Sequence, residues 1–326
     1  MKKKLQNNQI TEKKIINNYL NKLNFNKKGT FSFKNDAAYI KILKNKKIVI
    51  TSDSISEKID FFKFDNSKSI ANKIITINLS DLSAMGANPF TYSLNLFLPD
   101  YIDNKWLRVF SNELYRLQKK YNFYLLGGDI SKSNELSISA TFFGNVKKNK
   151  VIKQHSLGKN KDIWITGNIG DSYIGLNILK NKIKLSNNKI KNYFINKYYF
   201  PKHALIGSKI SKFVDSMKDI SDGLIGDLNK MLIKNGAIID INQIPISKYL
   251  KKIIQNKKIS YKSILNGGDD YELIIISNRK FRNKIINIAK INKTKITLIG
   301  KTIKKAGLIF DSNEYLNIPR EFDHFS

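Results

Sequence analysis

Short apolar runs rich in Ile, Val and Phe alternate along this chain with longer stretches in which apolar residues recur every three or four positions. The short runs at 38–43, 48–51, 93–98, 124–126, 136–143, 162–166, 237–241, 272–276 and 297–300 predict β-strands. The 3.6-residue period predicts helices at 70–85, where Ile70, Ile74 and Ile77 share a face, and at 104–121, where Trp106, Leu107, Phe110, Leu114 and Leu117 do. Residues 172–180, 201–213 and 223–234 read the same way, and the Lys/Asn-rich stretch 180–191 reads as solvated surface loop. Strands and helices follow one another in irregular order, which predicts an α+β fold rather than a strict βαβ alternation. A basic, Asn-containing turn at 147–150 divides the pattern, so two domains are expected, 1–149 and 150–326.

Composition narrows the chemistry. No Cys is present, which excludes disulfides, thiolate metal sites and a cysteine nucleophile. His is confined to His155, His203 and His324, too few for an imidazole-built zinc centre. A metal here must therefore be held by oxygen. Lys and Arg number 58 against 26 Asp and Glu, a formal charge of +32. The cations are nearly all Lys and are spread over the whole chain among Asn and Ile, so the charge attracts anions generally and favours no specific nucleic-acid partner. No run approaches the roughly 18 apolar residues of a membrane span. Gln6, Asn7, Asn8 and Gln9 follow the basic start where a signal peptide would be apolar, so a cytoplasmic protein is expected.

The scarce acids stand at the ends of apolar runs, fenced by Ser and Gly. Asn78-Leu79-Ser80-Asp81 is followed by small residues up to Pro89; Gly127-Gly128-Asp129 follows an apolar strand; Asp219-Ile220-Ser221-Asp222-Gly223 precedes a helix; Gly267-Gly268-Asp269-Asp270-Tyr271-Glu272 opens a strand. A carboxylate with small neighbours suits a hard cation such as Mg²⁺, and several together suggest polyphosphate chemistry. Each has a plainer alternative. Asp81 could be an ordinary surface acid, and Gly127-Gly128 a simple turn. Asn35-Asp36, which precedes a strand, could be a simple turn, and Thr51-Ser52-Asp53 could cap a helix as well as ligate a metal. Asp219 and Asp222 are harder to explain that way: two like charges near a helix N-terminus are comfortable with a cation between them, and the helix would offer free N–H groups to phosphate. No Gly-x-x-x-x-Gly-Lys-Ser/Thr occurs, so phosphoryl transfer would need another architecture than the P-loop.

Taken in order, these segments resemble the thiamine-monophosphate kinases, within the superfamily of ATP-binding enzymes that includes aminoimidazole-ribonucleotide synthetase and selenophosphate synthetase. The resemblance runs from about Asn35 to Phe325 and is carried by 78–89, 127–129, 164–175, 219–228, 267–273 and the closing Phe322-Asp323-His324-Phe325. It implies an aminoimidazole-ribonucleotide synthetase-like fold, with an N-terminal domain that dimerises through its sheet and a C-terminal domain that closes the site. It also implies Mg²⁺-dependent, direct in-line transfer from ATP to thiamine monophosphate, with no side-chain base or nucleophile. By the same resemblance the metal ligands fall on Asp36, Thr51, Ser52, Asp53, Asp81, Asp129, Asp219 and Asp222. Nucleotide contacts fall on Gly128, Asp129, His155 and Ser221, and thiamine-phosphate contacts on Asp60, Asp269 and Phe322. Three positions depart from the family pattern: Lys34-Asn35-Asp36 replaces Gly-Asp-Asp, Asp60 stands for a His, and His155 stands for an Arg. The alternatives are a related ATP-dependent synthetase with another acceptor and a basic nucleic-acid-binding protein. Absence of Cys weighs against the sulfur- and selenium-handling relatives.

Overall fold

The computed structural model describes residues 10–25, 27–41, 44–147, 150–155, 158–233, 235–255 and 259–310. Phe322 and the closing Asp-His-Phe segment lie outside them. The chain divides into two units, Met1–Leu43 with Ile50–Ile75 and Pro89–Phe143, and Lys44–Val49 with Thr76–Asn88 and Gly144–Ser326.

A four-stranded sheet is built from β1 (Lys46–Ser56), β2 (Asn88–Leu98), β3 (Tyr124–Lys132) and β4 (Ser137–Lys147), in the order β1-β4-β2-β3. Alternation explains its two faces. On β4, Ile138, Ala140 and Phe142 are buried while Ser137, Ser139 and Thr141 are not. Tyr92 of β2 stacks on Phe142 at 4.8 Å, with Phe123 edge-on to both. The helix Asn104–Tyr121 turns Leu107, Phe110, Leu114 and Leu117 inward. Asp103 caps it by accepting from the Trp106 N–H at 2.7 Å, and Asn122 ends it in the left-handed conformation. Residues 38–41, expected as strand, pair with no sheet.

The helix Ser67–Ala84 is buried on nearly every side: Ile70, Ala71, Ile74, Ile75, Leu79 and Leu82 are all almost fully enclosed. Ile77, which the spacing placed on the inner face, is only half-buried. A helix enclosed all round has no single apolar stripe to read.

The second sheet has six strands: β5 (Asp162–Thr166), β6 (Ser216–Asp219), β7 (Gly236–Ile239), β8 (Leu273–Ser277), β9 (Ile296–Ile303) and β10 (Gly307–Phe310), ordered β10-β7-β9-β5-β8-β6. β10 and β7 run parallel and the other pairs antiparallel, so the sheet is mixed and the fold α+β as expected. Every residue of β5 and β8 is buried, because both faces are covered. Ile163, Ile165, Ile274 and Ile276 enter one core with Phe194 and Leu228; Trp164 and Ile275 enter the other with Met217 and Ile210.

Four elements differ from expectation. Residues 201–213 give only the short helix Gly207–Ile210, where Gly207 lies so close to the Ser83 carbonyl that an added Cβ would sit 1.8 Å from its oxygen. Part of the supposed loop 180–191 begins the helix Asn188–Tyr199, whose Phe194 and Tyr198 are buried. That helix rests on Gly175 of the helix Asp171–Leu179, where a Cβ would meet the Phe194 carbonyl oxygen at 2.2 Å. β6 and β10, each of four residues, were not foreseen.

Candidate active site

In the first unit, the candidates gather on β3 and β1. A register shift between β2 and β3 at Tyr92/Ser93 sets Gly128 opposite Leu94 and Asp129 opposite Asn95. At Gly128 a Cβ would stand 1.8 Å from the Leu94 carbonyl oxygen, so only glycine fits. Asp129 is exposed; its N–H donates to the Asn95 side chain at 3.0 Å and its carboxylate accepts from Ser131 Oγ at 2.9 Å. Gly127, Gly128 and Asp129 line a cavity of about 280 Å³ shared with Asp36, with Ile16 and Phe33 among its apolar walls. Asp36 and Asp129 are thus brought to one place.

On β1, Val49 and Ile55 point into the core, and alternation puts Thr51 and Asp53 on their side of the strand. Ser52 faces the other way and bonds Thr141 Oγ1 at 2.8 Å. The three consecutive residues therefore do not present three side chains together; Ser52 could join Thr51 and Asp53 only through its backbone carbonyl. Asp60 closes a turn after β1: its carboxylate accepts from the Ser56 N–H at 2.8 Å, and its carbonyl accepts from Lys73 Nζ at 2.8 Å.

In the second unit, six candidates come together. Asp219, at the end of β6, is buried; its carboxylate accepts from Ser80 Oγ at 3.0 Å. Burial, and then the charge of Asp81, push the Asp219 carboxyl up to about 6, against the pull of Lys218. Two oxygen-donor acids held this close, one of them buried, fit a divalent cation between them. Among the described residues no group of three or more acidic or imidazole side chains is arranged as a closed metal cage.

The next turn departs from the expected picture. The N–H groups of Ser221 and Asp222 both donate to Asp227 Oδ2 at 2.9 Å. Asp227, fully buried in the first turn of the helix Leu224–Leu232, has thus claimed the amides that were expected to face a phosphate. Its carboxyl is raised by burial, with Lys218 opposing; Lys218 Nζ lies 3.2 Å from it and 3.6 Å from Asp219. Burial pulls Lys218 down, but the charges of Asp219 and Asp227 outweigh it and leave the ammonium raised. Asp222 pairs with Lys230 Nζ at 2.8 Å. The Lys230 carbonyl in turn lies 3.1 Å from His155 Nδ1.

Asp269 reaches the same place from another loop. It does not open a strand; Asp269 and Tyr271 both adopt left-handed backbone, with φ of 65° and 52°. That twist lets the Asp269 N–H donate to the Ser221 carbonyl at 2.9 Å and the Tyr271 N–H to the Ile220 carbonyl at 2.9 Å. Tyr271 Oη then donates to Asp269 Oδ1 at 2.6 Å. Sequence reasoning missed Asp227, Lys218 and Lys230. Asp270 and Glu272, read in the sequence only as opening a strand, and Asp171, not singled out there, form a second acidic group behind the turn. Asp270 is buried, its carboxylate accepting from the Gly170 N–H at 2.9 Å. Glu272 is pushed up to about 7, by burial before all else, while accepting from Thr166 Oγ1 at 2.6 Å.

Comparison with known proteins gives this arrangement its place. Residues 34–146 match the family AIR synthase related protein, N-terminal domain, and residues 163–312 match its C-terminal domain. The chain is 38% identical over 300 residues to the thiamine-monophosphate kinase of Buchnera aphidicola subsp. Schizaphis graminum, covering 89% of this chain and 91% of that protein. It is 34% identical over 326 residues to the enzyme of the same name from Buchnera aphidicola subsp. Acyrthosiphon pisum, covering 97% and 99%. Among solved structures, thiamine-monophosphate kinase from Stenotrophomonas maltophilia K279a superposes with a TM-score of 0.78 at 26% identity, covering 85% of this chain and 89% of that one. A structure described as AaThiL complexed with AMPPCP and TMP gives 0.76 at 23%, covering 89% and 91%, a likeness of fold. With two AIR synthase related domains and relatives this similar along nearly their whole length, the chain belongs to the thiamine-monophosphate kinase family.

Proposed function

We propose that this protein transfers the γ-phosphoryl group of ATP to the phosphate of thiamine monophosphate, releasing ADP and thiamine diphosphate. The observation that carries this is the junction in the second unit, where the Ser221 carbonyl accepts from the Asp269 N–H while Asp81, Asp219 and Asp222 stand around the same turn. The relatives at 34% and 38% identity carry the name of that activity.

The chemistry asks for position and charge rather than for a base. The acceptor is a phosphate monoester, largely ionised near neutral pH, so one of its oxygens can attack the γ-phosphorus directly. As that bond forms, the bond to the β,γ-bridging oxygen breaks and ADP departs with the electron pair. No covalent enzyme intermediate is needed. Asp36, Thr51, Asp53 and Asp129, with the Ser52 carbonyl, in the first unit and Asp81, Asp219 and Asp222 in the second would be the oxygen donors for Mg²⁺. Bound there, Mg²⁺ would neutralise the polyphosphate so that one anion can approach another. Gly128 and Asp129 in the first unit and Ser221 and His155 in the second are assigned to the nucleotide, and Asp60, Asp269 and Phe322 to thiamine phosphate. The rigid Asp269 turn, tied at both N–H groups and through Tyr271, keeps the acceptor side from wandering.

The working form is a homodimer in the cytoplasm, paired through the open face of the β1–β4 sheet, where Ile50 and Phe97 are exposed. No helix among the described residues is long and apolar enough to cross a membrane. The test is incubation of purified protein with ATP, Mg²⁺ and thiamine monophosphate, with thiamine diphosphate read by chromatography beside a control lacking Mg²⁺. Product only with Mg²⁺ is expected. ADP release that ignores thiamine monophosphate, or product unaffected by chelation, would overturn it.

A further inference from the structure

The acidic turn of the second unit carries two lysines that the metal-and-nucleotide picture leaves without a task. They are held differently. Lys218 is only 15% exposed and wedged between Asp219 and Asp227, an interior counter-ion fixed on two sides. Lys230 is 29% exposed and reaches from the last turn of the helix Leu224–Leu232 back to Asp222, which is 30% exposed. Helical side chains lean toward the N-terminus, so this backward reach is the natural one for a long stem.

Resting on the function proposed above, we infer that Lys230 is a phosphate-binding residue for the nucleotide, held on Asp222 until a divalent cation takes that carboxylate. The physical argument is one of charge. Asp222 cannot serve a divalent cation and an ammonium equally well, and the two positive charges repel each other. Released from Asp222, the Lys230 ammonium is a compact cation with three donors on a four-carbon stem, and the incoming polyphosphate is the anion within its reach. The Ser221 and Asp222 amides are bonded to Asp227, so the turn has few neutral donors left for phosphate. His155 fits the same account. Its Nδ1 stands 3.1 Å from the Lys230 carbonyl, which anchors that end of the helix beside the residue already placed on the nucleotide. A His lacks the guanidinium fork of an Arg, and Lys230 supplies a permanent charge next to it.

The test is calorimetric binding of AMPPCP to the whole protein with Mg²⁺ and no acceptor, comparing wild type with Lys230→Met, Lys230→Gln and Lys230→Arg. Both uncharged variants should weaken binding by about tenfold or more, as expected for loss of a charged hydrogen bond to phosphate, while Lys230→Arg stays within about threefold. The KM for thiamine monophosphate should not move in any of them. Lys230→Gln can still bond Asp222, so it separates loss of charge from loss of packing. Uncharged variants that bind AMPPCP like wild type, or a melting temperature that falls with affinity unchanged, would overturn the role of Lys230 alone. Wild-type protein that binds no AMPPCP would overturn the nucleotide reading itself, and this role with it.

Discussion

Asp222 and Glu272 are acids with opposite duties, and each makes a separable prediction. Asp222 is partly exposed, pairs with Lys230 and is assigned to the metal. Asp222→Asn keeps the shape and removes the charge, so turnover should fall by about a hundredfold or more while the melting temperature holds. Near-normal kcat in the variant would remove Asp222 from the catalytic set. Glu272 is enclosed, and its carboxyl is raised from 4.5 to about 7. Its folded state therefore holds a proton more tightly than its unfolded state. The stability this contributes is fully present below about pH 4.5 and is lost as pH rises through about 7, by something on the order of 3 kcal/mol. Glu272→Gln, which can still accept from Thr166, should flatten that loss and stabilise the protein at pH 8. Urea unfolding at pH 5 and pH 8 measures it; an unchanged pH slope would show that Glu272 ionises without penalty.

At this scale the sequence was informative wherever small residues fenced an acid. The fences around Asp219, Ser221, Asp222 and Asp269 pointed to residues that the fold brings into one turn-to-turn junction. Asp227, Lys218 and Lys230 escaped notice because nothing local marks them. Asp227 looks like any acid in a first helical turn, and the two lysines are lost among so many others. What distinguishes them is their partners, which only the folded chain supplies.

At the scale of elements, the helices Asp171–Leu179 and Asn188–Tyr199 form a pair whose closeness depends on Gly175 beneath the Phe194 backbone. Phe194 is fully buried, so Phe194→Ala should cost about 3–5 kcal/mol. Thermal melting would show it, and a loss below about 1 kcal/mol would mean that the pair carries little of this unit's stability. The strand Asp162–Thr166 and the helix Asn104–Tyr121 were legible to the residue, since the first is an apolar run of strand length and the second has one dominant apolar face. Asn188–Tyr199 was not, because its inward residues Phe194 and Tyr198 are separated by a Lys/Asn background that reads as solvent. β6 hid for a related reason: in four residues it carries Ser216, Lys218 and Asp219, and it is strand by virtue of pairing with β8.

At the scale of the molecule, the formal charge of +32 sets a cost on bringing two copies together. If the dimer forms through the β1–β4 sheet, salt should tighten it by screening that repulsion. Sedimentation equilibrium at 0.05 M and 0.5 M salt, about threefold apart in screening length, would show a lower dissociation constant at the higher value. Weaker association with added salt would point instead to an interface held by opposite charges. The same surplus of charge does not make every surface hospitable to anions. Because Asp227 has taken the Ser221 and Asp222 amides, those two backbone donors are not open to an approaching triphosphate. If Mg²⁺ is held by Asp81, Asp219 and Asp222 as proposed, ATP that carries its cation meets this turn with less repulsion than bare ATP does.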